Sequence, residues 1–130
     1  MAWIDIITAV ALLQYIYFGA LVGSARGKYG VSAPAITGHE MFERYYRVQM
    51  NTLELLIVFL PSLWLAARYW SPVGMAALGA VYVVGRFVYL KAYVKDPASR
   101  SLGYGMSMMP ALALLLAGLS GAALAAIKSA

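Results

Sequence analysis

Four long apolar runs leave this chain few ways to fold. They extend from about Ile6 to Val22, Val48 to Ala67, Val73 to Leu90 and Leu102 to Ile127, and the last holds no charge at all. Crossing the hydrocarbon of a bilayer takes about 20 mostly apolar residues in a helix. A helix also satisfies its own backbone hydrogen bonds, which lipid cannot do. With 130 residues the chain has room for four such spans and no fifth. Only 12% of its residues are charged and 63% are hydrophobic, against roughly 25% charged in an ordinary soluble domain. The expected fold is an all-α integral membrane bundle of four transmembrane helices. It forms one domain over residues 1–130, with helices at about 4–24, 42–70, 73–95 and 98–127. The opening Met1-Ala-Trp-Ile-Asp5 has no basic residue, so the first run reads as a retained helix rather than a cleaved signal peptide.

The basic residues orient the bundle. Arg26, Lys28, Arg44 and Arg47 flank the first connection, and Lys91, Lys95 and Arg100 flank the third. Arg68 and Lys128 are left for the opposite side, while Arg86 falls within the third span. Because positive residues favour the cytoplasmic side, connections one and three are expected there and both termini outside. A bacterial inner membrane fits this best, with the endoplasmic reticulum as the alternative. The net charge of +5 is scattered between spans rather than gathered into a stripe with aromatics, so no nucleic-acid partner is expected.

The first connection, from about Gly23 to Arg44, is the one long loop and could cover a site. In the second, Pro72 suits the start of the third helix and Tyr69 and Trp70 suit a membrane interface. In the third, Asp96-Pro97 reads as an N-cap followed by a first-turn proline, with Arg100 in the first turn of the last helix.

Charged groups inside the spans are the informative exceptions. A charge at mid-bilayer costs at least about 2.5–3.5 kcal/mol, so it faces a protein interior or a polar cavity. Arg47, Asn51 and Glu54 follow spacings of four and three, which stack them on one helical face. Tyr82, Arg86, Tyr89 and Tyr93 form a similar stripe on the third helix. At 1.5 Å per residue, Glu54 lies about 10 Å below Arg47 and Arg86 about 13 Å below Lys95. Opposite charges at matching depth make Glu54–Arg86 the candidate structural ion pair. That pair leaves Arg26, Arg47, Gln49, Asn51, Tyr89 and Tyr93 in the same half of the membrane. Guanidinium and amide donors, phenols and one carboxylate suit a ligand that carries both carboxylates and an ammonium. Such a small bundle has little interior for so many polar groups, which favours burial between subunits.

Other chemistries lack their residues. There is no cysteine, and hence no disulfide, thiolate metal site or protein thiol nucleophile. No phosphate loop, dinucleotide fingerprint or zinc pattern is present, so no metal is expected. His39 reads as a lone loop histidine and Gln14 as a helix–helix hydrogen bond.

The run Phe42-Glu43-Arg44-Tyr45-Tyr46-Arg47-Val48-Gln49-Met50-Asn51-Thr52-Leu53-Glu54 resembles the signature of the MAPEG family, membrane-associated proteins in eicosanoid and glutathione metabolism. Gly85-Arg86-Phe87-Val88-Tyr89-Leu90-Lys91-Ala92-Tyr93, followed by Arg100, is a second match, and Ser24-Ala25-Arg26 a weaker third. The likeness is to the branch of microsomal glutathione transferases and leukotriene-C synthase. It implies a homotrimer with glutathione as co-substrate between adjacent subunits, near the cytoplasmic face. It also implies that Arg26, Arg47, Gln49, Asn51, Glu54, Tyr89 and Tyr93 bind glutathione. Arg100 would be the catalytic residue, stabilising the thiolate that attacks a lipophilic electrophile from the bilayer. Peroxidase activity on lipid hydroperoxides is a companion expectation.

Two positions depart from the pattern: Leu55 replaces a tyrosine of several relatives, and Gly27 an arginine of the leukotriene-making enzyme. Two other functions use similar scaffolds. One is a non-catalytic lipid-binding adaptor, against which Arg47, Glu54 and Arg100 together argue. The other is a small multidrug transporter, whose essential carboxylate lies in the first helix, where this chain has only Gln14.

Overall fold

A computed structural model describes all residues, 1–130. It contains four long helices: α1 Ala2–Tyr29, α2 Glu40–Tyr69, α3 Pro72–Lys95 and α4 Ser101–Ser129, with a 3-10 turn at Pro97–Ser99 just before α4. All four are long and apolar enough to cross a membrane. They alternate in direction, and α2 packs against each of the other three. The core is apolar: Ile4, Ala11, Leu55, Phe59, Leu63, Tyr82, Ala111 and Leu114 are buried, and Tyr82 stacks on Phe59 with ring centroids 3.8 Å apart. Large apolar side chains such as Leu13, Ile16, Ile57, Leu102, Leu119 and Ile127 point outward. That surface suits lipid rather than water.

Small residues let α4 approach closely, as expected where packing rather than water drives helix association. A side chain at Gly103 would strike the backbone of Tyr89, one at Gly85 the backbone of Met106 at 2.7 Å, and one at Gly118 the side chain of Leu65 at 2.7 Å. Polar bonds add register. Gln14 Nε2 donates to the Val83 carbonyl (2.8 Å), Trp64 Nε1 to Thr8 Oγ1 (2.9 Å) and Trp70 Nε1 to the Ala117 carbonyl (2.7 Å).

The helix ends correct the expected boundaries. α1 continues through the polar stretch Ser24–Tyr29 and stops at Gly30, whose φ of 70° is the left-handed conformation of a C-terminal glycine. The first connection therefore shrinks to residues 30–39. Falling hydropathy marks where a helix leaves the apolar layer, not where its hydrogen bonds end. His39 is the N-cap of α2, accepting from Met41 N at 3.1 Å and stacking on Tyr29. Ser71 caps α3, with Pro72 in its first turn. Asp96 caps the 3-10 turn by accepting from Ala98 N, and Arg100 closes that turn just ahead of α4.

Candidate functional site

At the basic end of the bundle, α2, α3 and the start of α4 enclose a cleft of about 590 Å³, lined by Arg47, Asn51, Tyr89, Tyr93, Arg100 and Tyr104. Each element supplies two residues four apart, which a helix places one above the other. Tyr89 and Tyr93 stack with ring centroids 5.4 Å apart. Arg100 Nη1 donates to the Pro97 carbonyl at 3.0 Å, fixing the guanidinium beside the 3-10 turn. Close contact between Gly103 and the Tyr89 backbone draws Arg100 and Tyr104 against α3. The lining holds two guanidinium groups, one amide and three phenols, and no carboxylate. Such a donor-rich wall favours an anionic ligand. An adjoining depression of about 340 Å³ shares Arg47 and Tyr93 and adds the carboxylates of Glu40 and Glu43.

Five of the residues expected from sequence therefore meet: Arg47, Asn51, Tyr89, Tyr93 and Arg100. Tyr104 joins them unannounced; its one signal was the four-residue step from Arg100. Glu54 does not line the cleft, but its carboxylate lies 3.3 Å from Arg47 Nη2, with both side chains at least half exposed. Arg26 is engaged elsewhere: Nη1 donates to the Ala35 carbonyl at 2.6 Å, and the guanidinium lies 4.7 Å from the Phe42 ring centroid. Gln49 packs its amide over Gly19 of α1. Arg26 and Gln49 of one chain thus lie outside its cleft, toward α1. As for the two departures, Leu55 is buried in the core and Gly27 has open space around it.

The expected Glu54–Arg86 ion pair does not form within the chain. Equal depth was the basis for that pairing, but rotation about the helix axes turns the two groups apart. Glu54 points outward and pairs with Arg47, while Arg86 is wholly buried. Its Nε donates to Ser107 Oγ at 2.8 Å, and Nη1 donates to Asn51 Oδ1 at 2.7 Å and Thr52 Oγ1 at 3.3 Å. The guanidinium also rests 4.4 Å from the Tyr89 ring centroid. Arg86 is thus held by neutral groups alone, and its Nη2 is buried without a hydrogen-bond partner.

Arg44 has a structural task that sequence did not signal. Nη1 donates to the Val94 and Lys95 carbonyls at 2.9 and 3.1 Å, capping the end of α3, while Nη2 pairs with Glu40. A further cleft, of about 520 Å³, lies among α1, α2 and α3, with Arg44, Lys91 and Lys95 in its lining, and holds none of the expected site residues.

Comparison with known proteins shows the family of the chain. The model of the MAPEG family matches residues 5–120. An uncharacterised protein of Synechocystis sp. is 44% identical over 119 residues, spanning 92% of this chain and 87% of its own. Human microsomal glutathione S-transferase 2 is 38% identical over 121 residues, spanning 91% of this chain and 82% of its own. Bovine leukotriene C4 synthase is 36% identical over 94 residues, spanning 72% and 63%. The match covers all four spanning-length helices, as befits a multi-pass integral membrane protein. By its sequence and its four-helix architecture, the chain belongs to the MAPEG family.

Proposed function

We propose that this protein is a membrane glutathione transferase that holds glutathione in the α2–α3–α4 cleft and activates its thiol for attack on lipophilic electrophiles. The observation that carries this reading is the convergence of Arg47, Asn51, Tyr89, Tyr93 and Arg100 on one cleft from three separate elements. The relatives named as a glutathione transferase and a leukotriene C4 synthase support it. Arg47 and Asn51 donate to the ligand's carboxylates and peptide oxygens. Glu54, beside Arg47, accepts from its ammonium. Tyr104 supplies a phenol where Leu55 cannot.

The thiol is the reacting group. A free thiol has a pKa of about 8.5, and lowering it by two units takes about 2.7 kcal/mol of preferential thiolate stabilisation. Arg100 stands immediately ahead of the N-terminus of α4, where guanidinium and helix dipole both favour an anion. The thiolate sulfur then bonds to the electrophilic carbon and displaces its leaving group. With a lipid hydroperoxide, glutathione would instead be oxidised as the hydroperoxide is reduced.

Arg26 and Gln49 belong to the same site in this reading, but reach the cleft of a neighbouring subunit. Their place outside the cleft of their own chain supports a homotrimer with intersubunit sites. The basic connections face the cytoplasm and both termini lie outside, in a bacterial inner membrane. Calorimetry on the purified oligomer, with turnover of chlorodinitrobenzene and an organic hydroperoxide, tests the whole. Micromolar to millimolar glutathione binding with turnover is expected. Binding without turnover would favour the lipid-binding adaptor, and absence of binding would reject the reading.

A further inference from the structure

A wholly buried arginine with no carboxylate beside it is a costly feature in a membrane bundle. Arg86 is such a residue, and nothing in the proposed chemistry uses it directly. It meets the cleft lining at the Tyr89 ring, 4.4 Å from the guanidinium, and through the 2.7 Å hydrogen bond from Nη1 to Asn51 Oδ1, which is the directional link. That link has a definite chemical direction. A guanidinium can only donate, so the Asn51 group facing it must be the carbonyl oxygen. Were the amide turned over, two donors would meet in a dry interior and one bond would be lost.

Asn51 is therefore locked with its oxygen inward, which leaves both Nδ2 hydrogens for whatever occupies the cleft. Ser107 accepts from Nε, and Thr52 accepts from the same Nη1 that donates to Asn51, so the lock is itself anchored on α4 and α2. An unlocked asparagine could offer a ligand either donor or acceptor. The locked one offers donors alone.

Resting on the glutathione reading of the cleft, we propose that Arg86 is a positioning residue. It sets Asn51 as an obligate donor, and so selects ligands that present a carboxylate or carbonyl oxygen at that point. Arg86 touches neither ligand nor electrophile in this scheme. It acts on ligand choice through Asn51.

A double-mutant cycle on the full-length oligomer tests this, with glutathione binding measured by calorimetry. Arg86→Gln and Asn51→Ala should each weaken binding about tenfold, and the double variant by about as much as either alone. Losses that multiply to about a hundredfold would overturn the inference. If Arg86→Gln fails to fold, Arg86→Lys, which keeps the charge but not the fork, takes its place in the same cycle. Asn51→Asp gives an independent readout. It places a carboxylate against Arg86, so the protein should melt at a higher temperature yet bind glutathione at least tenfold more weakly. Unchanged binding in Asn51→Asp would show that the donor face is not needed and reject the proposal. An unaltered protein that binds no glutathione would remove the functional reading and this inference together. One that binds it but gives multiplying losses removes this inference alone.

Discussion

Arg47 and Glu54, two turns apart on α2, bring their side chains to within 3.3 Å at the edge of the cleft while both remain at least half exposed. Neighbours on one helix are normally three or four residues apart. This pair reaches across seven, which stretches both side chains along the helix axis. Such a pair is a weak staple and a ready ligand contact, because a ligand can replace either partner at little cost.

Glu54→Gln is accordingly expected to change the stability of the unliganded protein by less than about 1 kcal/mol, the usual worth of an exposed ion pair. Glutathione affinity should fall by about tenfold or more, since a charge-assisted acceptor for the ammonium is lost. Thermal melting and calorimetry on one preparation separate the two effects. A large loss of stability with unchanged affinity would give Glu54 a structural role instead.

Arg100→Ala is expected to lower turnover more than affinity. The guanidinium is held by the Pro97 carbonyl ahead of α4 and is exposed, so its removal leaves the fold intact. A fall in kcat of about 100-fold is in line with losing one preorganised group that stabilises developing charge. The glutathione KM should move only a few-fold. Equal losses in kcat and affinity would mean that Arg100 binds without activating.

Gly103→Ala and Gly105→Ala make a matched pair. The added methyl group at Gly103 strikes the Tyr89 backbone, which cannot yield as a side chain could, whereas Gly105 faces open space. Gly103→Ala should lose at least about 1–3 kcal/mol through overpacking and reduce activity by moving Arg100 and Tyr104 off α3. Gly105→Ala should be neutral, or stabilising by up to about 1 kcal/mol from helix propensity. Chemical or thermal denaturation of the two variants side by side decides the matter.

Tyr82→Phe should stabilise the bundle. The Tyr82 hydroxyl is buried without a hydrogen-bond partner, and phenylalanine would keep the stack on Phe59. Removing an unsatisfied buried hydroxyl is worth about 1–3 kcal/mol. A lower melting temperature would reveal a partner for that hydroxyl in the assembled oligomer.

What sequence could reveal followed a physical boundary. Relationships within one helix are set by its 3.6-residue period, so the sequence alone pairs Arg47 with Asn51 and Tyr89 with Tyr93. Relationships between helices also need rotation about each axis, which depth along the membrane does not supply. Hence Glu54 and Arg86 were matched by depth, yet they turn toward Arg47 and Asn51 instead. Arg26 and Gln49 show the same limit, because family resemblance groups them with residues that a single chain places apart from them. The end of α1 differs from its hydropathy boundary for another reason: hydropathy reports the membrane edge, while Gly30 stops the helix.

The cleft is completed only by Arg100, just ahead of α4, and by Tyr104 within α4, the last of the four helices in chain order. A ribosome must therefore finish three spans, with Arg47, Asn51, Tyr89 and Tyr93 already made, before either of these residues exists. A nascent chain at that stage carries two walls of the cleft and only one of its two guanidinium groups. A cleft with both guanidinium groups is thereby confined to molecules whose last helix has formed and seated Gly103 against Tyr89 of α3.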